Sequence, residues 1–138
     1  MSSDWFRILL VVVVGAHGIG HVLFMPLIFE PLRLSASGRS WLLTPLVGDS
    51  IVRVVATAVA GIVLVGFIAA CAGFLTRSSW WPTAAVASAL ASAVLVLVMW
   101  GGLQQSSAFF ALLFDAAVLV ALLVAHWPAE SIAGAQAP

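Results

Sequence analysis

Long apolar runs separated by short polar breaks dominate the chain. Four of them, residues 5–29, 51–75, 80–100 and 108–127, reach the length of about 20 residues that a helix needs to cross a bilayer. None shows the strict apolar–polar alternation of a barrel strand, and in lipid a backbone must satisfy its own hydrogen bonds. The pattern therefore predicts helices. It implies an all-α, integral membrane four-helix bundle, one transmembrane domain over residues 1–128, with residues 129–138 as a disordered tail.

The breaks carry start and stop chemistry. Asp49 and Ser50 are candidate caps for the second helix, Ser79 with Pro82 for the third, and Ser106 or Ser107 for the fourth, which Pro128 should stop. Residues 76–79 and 101–107 are short enough to join antiparallel neighbours. The longer first connection, residues 30–50, carries Leu32, Leu34, Trp41, Leu42, Leu43 and Leu46. It is too apolar for a solvated linker, so it should lie at the headgroups or fold over the bundle mouth. Trp5, Trp41, Trp80, Trp81, Trp100 and Trp127 fall near span ends or in this loop, where indoles anchor at membrane interfaces. Asp4 offsets Arg7, and the apolar run continues beyond Ala16, so the first segment reads as a retained span rather than a cleaved leader.

Composition agrees. Hydrophobic residues make up 64% of the chain and charged ones 7%, with a mean hydropathy of +1.22; soluble domains carry about 25% charge. Five arginines balance five acids, leaving no basic patch for nucleic acid. Arg33, Arg39 and Arg53 face Arg7 and Arg77 across the membrane, a difference too small to orient the chain. A lone cysteine, Cys71, permits no internal disulfide and reads as a packing residue. Small residues line several spans: Gly15, Gly18 and Gly20 in the first, Gly66, Ala69, Ala70 and Gly73 in the second, and Ala84, Ala87, Ser88, Ala91 and Ser92 in the third. Such stripes let membrane helices pack closely.

Against that apolar background three deep side chains stand out: His17, His21 and Asp115. On a regular helix the two histidines project within about 40° of each other. Asp115 sits near the middle of the fourth span, at the depth of His17. An aspartate there costs about 2.5–3.5 kcal/mol to insert, so it should turn inward toward a histidine. The acid can stand neutral or pair with an imidazolium. Glu30 and Arg33, beyond His21, are candidates for the pocket mouth, while Asp49 and Arg53 read as a surface pair.

The cluster admits several roles. It can glue helices together, or orient and protonate the polar end of a small hydrophobic molecule such as a quinone or lipid. A zinc site would have two histidines at i, i+4 but neither a HExxH glutamate nor a nearby cysteine. A bis-histidine haem would need a partner at matching depth, and His126 lies near the end of the fourth span beside Trp127.

The "AHGIGHVLF" of the first span, the lid-like first loop and the Gly/Ala-rich second span closing on "GFLTRSSWWP" resemble the DoxX-like superfamily of small bacterial four-helix membrane proteins. The resemblance covers residues 5–127 and rests on His17-Gly18 and on Gly73-Phe74-Leu75-Thr76-Arg77. It implies a bundle in the bacterial cytoplasmic membrane, in some relatives as part of a redox system. No redox centre is visible in the sequence, so electron transfer would need a partner protein. The rival expectations are a non-catalytic membrane subunit or scaffold, self-associating or bound to a larger partner, and a membrane-embedded isomerase.

Overall fold

The computed structural model describes residues 3–29, 37–129 and 132. The chain forms α1 (Ser3–Gly20), a 3₁₀ turn (His21–Phe24), α2 (Pro26–Phe29), α3 (Thr44–Val47), α4 (Asp49–Leu75), α5 (Trp81–Val98), a second 3₁₀ turn (Trp100–Gly102) and α6 (Gln105–Leu123). Among the described residues, four stretches are long and apolar enough to cross a membrane: Trp5–Phe24, Asp49–Leu75, Trp81–Val98 and Gln105–Leu123. The protein is an all-α, multi-pass membrane bundle. Large side chains such as Val12, Ile62, Val94 and Phe110 point outward around it, as a lipid solvent requires.

The first span is not the single helix that its pattern predicts. A proline inside a helix loses one backbone bond, and its ring meets the carbonyl four residues back, here that of Val22. It also drives its predecessor out of the helical region. Met25 accordingly adopts φ −95°, ψ 86°, and its N–H donates to Val22 O at 3.1 Å. Pro26 thus starts the separate helix α2, and His21 opens a 3₁₀ turn.

The predicted side-chain caps are not made. Gly48, Trp80 and Gln104 occupy the N-cap positions of α4, α5 and α6, and none supplies a side-chain cap bond. Gly48 adopts φ 81°, a conformation that favours glycine, and this turns the chain into α4. Asp49 then falls inside the first turn, where a negative charge favours the helix N-terminus. Pro82 does lie in the first turn of α5. The fourth helix ends at Leu123 rather than at Trp127; beyond it Ala125 N and Trp127 N donate to Val120 O and Ala121 O at 2.9 and 2.8 Å.

Close packing runs from α1 to α4, from α4 to α5 and from α5 to α6, while the α1 and α6 backbones scarcely approach each other. The small-residue stripes explain the intimate contacts. A Cβ on Gly18 would stand 2.7 Å from Phe67 Cβ, and one on Gly66 would collide with the Ser88 hydroxyl. Only a bare backbone fits at Gly18, while a side chain at Gly66 would force the Ser88 hydroxyl to swing away. Arg7 donates to Phe74 O and Leu75 O, both at 3.1 Å, and so closes the exposed C-terminal carbonyls of α4.

The described part of the first loop folds over one end of the bundle. Ser40 Oγ donates to Val98 O at 2.7 Å and Trp41 Nε1 to Leu97 O at 2.9 Å, satisfying carbonyls left free where α5 ends. At the surface, Asp49 Oδ2 lies 3.4 Å from Arg39 Nε. Trp5, Trp41, Trp80 and Trp127 are exposed, in keeping with interfacial anchoring. Trp81 corrects that expectation: it is 7% exposed and packs edge-on against Phe74 with ring centroids 4.9 Å apart. Most of the tail, expected to be disordered, lies outside the described residues; within it Ile132 packs beside the Phe74–Trp81 cluster.

Candidate functional site

The polar side chains that interrupt the spans meet in the middle of the bundle. Asp115, midway along α6, is 0% exposed, as is Ser92 on α5, and His21 is 1% exposed. His17, in the last turn of α1, brings Nε2 to 3.0 Å from Asp115 Oδ1. The second carboxyl oxygen, Oδ2, lies 2.5 Å from Ser92 Oγ. Ser92 Oγ in turn lies 2.7 Å from His21 Nε2. His21 Nδ1 completes the path at 3.1 Å from the backbone carbonyl of His17. The two imidazoles lie edge to face with centroids 5.0 Å apart.

The arrangement is a closed hydrogen-bond chain through α1, α5 and α6. Burying these polar groups is tolerable because each meets a partner; an orphaned one would cost about 1–3 kcal/mol. Apolar rings surround them. Phe24 and Phe67 pack on the imidazoles, and Phe114 stacks on His17 with centroids 4.0 Å apart.

The sequence pattern singled out His17, His21 and Asp115 but took Ser92 for part of a packing stripe. Its depth opposite Asp115 is the signal that could have found it. Glu30 and Arg33, candidates for the mouth, lie outside the described residues. Asp49 pairs with Arg39 far along α4 from this cluster. His17 Nε2, His21 Nε2, Ser92 Oγ and both Asp115 oxygens are directed at one another, and among the described residues no group of three or more His, Cys, Asp or Glu gathers as metal ligands.

Beside the cluster, a half-open cavity of about 200 Å³ runs between α1 and α6, where the helices stand apart. Leu10, Val14, Cys71, Phe114, Val118 and Trp127 are among its lining, which is apolar throughout. The three titratable residues do not line it. Phe114 does, and its ring forms the wall between cavity and His17. Toward one end Phe6 and Trp127 meet edge to face, centroids 5.6 Å apart, bridging the same gap.

In comparisons with known proteins the chain matches no family model, no curated protein and no solved structure.

Proposed function

We propose that this membrane protein binds a small hydrophobic molecule, quinone- or lipid-like, with its body in the cavity between α1 and α6 and its polar end at the Phe114–His17 wall. The supporting observation is the placement of an apolar, half-open cavity against the ring that covers His17. His17 keeps 11% of its side chain exposed while Asp115 keeps none, so His17 is the more accessible member of the pair, and a ligand would reach it past the Phe114 ring. Size narrows the occupant. An engineered apolar cavity of about 150 Å³ takes a benzene ring, and drug-sized pockets start at about 300 Å³. At about 200 Å³ the site suits one ring or a short acyl segment, with any longer tail trailing into lipid through the open side. The DoxX-like resemblance belongs to this proposal and supplies its setting: the bacterial cytoplasmic membrane, with a redox partner protein handling electrons.

Native mass spectrometry of protein extracted in mild detergent tests this reading. A bound small molecule is expected on the wild type and lost in Val118→Trp, which fills the cavity. It should be retained in Phe109→Ala, an exposed position on the same helix. Equal ligand content in wild type and Val118→Trp, or none in the wild type, overturns the proposal.

One observation favours a second reading, a scaffold or non-catalytic subunit. The polar chain closes on itself and needs no ligand to satisfy it. That reading expects no bound small molecule and a single large partner recovered with the protein from mild detergent.

A further inference from the structure

We infer that His21, Ser92 and Asp115 form a relay that holds one transferable proton and passes it between the carboxyl group and the imidazole. Counting hydrogens across the observed contacts leads there. A backbone carbonyl only accepts, so the 3.1 Å contact of His21 Nδ1 with His17 O commits a proton to Nδ1. Taking His17 as its Nε2–H tautomer, that proton is donated to Asp115 Oδ1 across 3.0 Å. Two short gaps are left: His21 Nε2 to Ser92 Oγ at 2.7 Å, and Ser92 Oγ to Asp115 Oδ2 at 2.5 Å. Each needs a hydrogen, or lone pairs would face each other in a buried site. Ser92 brings one. The second must sit on His21 Nε2 or on Asp115 Oδ2.

Those two placements are the ends of a single transfer. In the first, the Asp115 carboxyl donates Oδ2–H to Ser92 Oγ, and the Ser92 hydroxyl donates to the lone pair of a neutral His21. In the second, the Oδ2–H bond has broken, its proton has formed a new bond to Ser92 Oγ, and the serine's original proton has moved to His21 Nε2. The product is a carboxylate and an imidazolium with the serine unchanged, so atoms and electrons balance and no co-reactant is needed.

Either way the three side chains together carry no net charge, which is why hydrocarbon burial tolerates the site. His17 bonds Oδ1 in both states, so it acts as a positioning residue and leaves Oδ2 as the exchanging oxygen. Ser92 is the bridge: the proton changes hands through its oxygen. The relay goes beyond ligand binding and stands whether or not the cavity is occupied.

The test uses the full chain in lipid bilayers. Infrared spectra with labelled aspartate report whether Asp115 is a carboxyl or a carboxylate, and nitrogen NMR reports whether His21 Nε2 carries a proton. The expected result is strict pairing: a carboxyl with an unprotonated Nε2, or a carboxylate with an imidazolium. Asp115→Asn mimics the carboxyl state and should hold His21 Nε2 unprotonated. Ser92→Ala should shift both signals together, and Ser92→Thr, which keeps the hydroxyl, should restore them. A carboxylate alongside a neutral His21 in the wild type overturns the relay. So does an imidazolium in Asp115→Asn, or Ser92→Ala leaving both signals in place. If Ser92→Ala fails to fold, the wild-type pairing and the Asp115→Asn spectrum still decide.

Discussion

His17 Nε2 and Asp115 Oδ1 are 98 positions apart in the chain and 3.0 Å apart in space. Their contact ties α1 to α6, two helices whose backbones otherwise stay apart. It also closes the inner end of the slot in which the apolar cavity lies.

The carboxyl group should tolerate conversion to an amide but not deletion. In Asp115→Asn the amide oxygen still accepts from His17, and the amide N–H donates to Ser92, which turns its own proton to His21. Every partner stays bonded, so Asp115→Asn should melt in detergent close to wild type, because no buried group is left unpaired. Asp115→Ala orphans the His17 and Ser92 groups and should cost about 1–3 kcal/mol. Equal losses in the two variants would show that the hydrogen-bond chain does not hold the helices.

Two glycines in one span should respond oppositely. Gly18→Ala places a methyl 2.7 Å from Phe67 Cβ, so α1 must move off α4 at a cost of about 1–3 kcal/mol. Gly20 meets nothing within 4 Å and has ordinary right-handed dihedrals; Gly20→Ala should stabilise by about 0.4–1 kcal/mol through the unfolded state. Thermal unfolding of both variants in the same detergent is the comparison. A harmless Gly18→Ala would mean that α1 and α4 are less tightly apposed.

Arg7 closes the end of α4 through two hydrogen bonds and lies 5.6 Å from the centre of the Phe74 ring. Arg7→Met keeps length but no donor. It should lower stability by about 1 kcal/mol, with amide exchange rising at residues 74–76 and not at the Gly48 end. Unchanged exchange there would remove the capping role.

Single-tryptophan versions of the protein in brominated lipid should divide sharply. Fluorescence from Trp5, Trp80 or Trp127, all exposed, should be strongly quenched. Trp81, buried against Phe74, should be spared. Quenching of Trp81 equal to that of Trp80 would place it at the lipid surface instead.

Much of this was readable along the chain. Uninterrupted apolar runs dictate helices and a lipid solvent through local backbone physics, so the four spans emerge within a few residues of where the structure has them. The rarity of titratable groups in those runs marked His17, His21 and Asp115 for the same reason: each is costly in hydrocarbon and must find a partner. Gly18 and Gly66 were visible as small residues. That they meet Phe67 and Ser88 was not, since a stripe states that something comes close and not what.

Other features were not legible in the pattern. Asp49 and Ser50 carry capping chemistry, yet the local backbone of Gly48, with φ 81°, sets the turn into α4. Trp81 has the profile of an interfacial anchor, yet the facing Phe74 buries it. Ser92 looks like any small residue of a packing stripe until α6 places a carboxyl group beside it. Hydropathy and periodicity are sums over neighbours in sequence, and they sufficed to determine a four-span bundle with a polar point at its centre. Which partner each polar side chain found, and that a cavity opened between helices held apart, depended on groups 23 to 98 residues distant, and only three-dimensional packing brings those together.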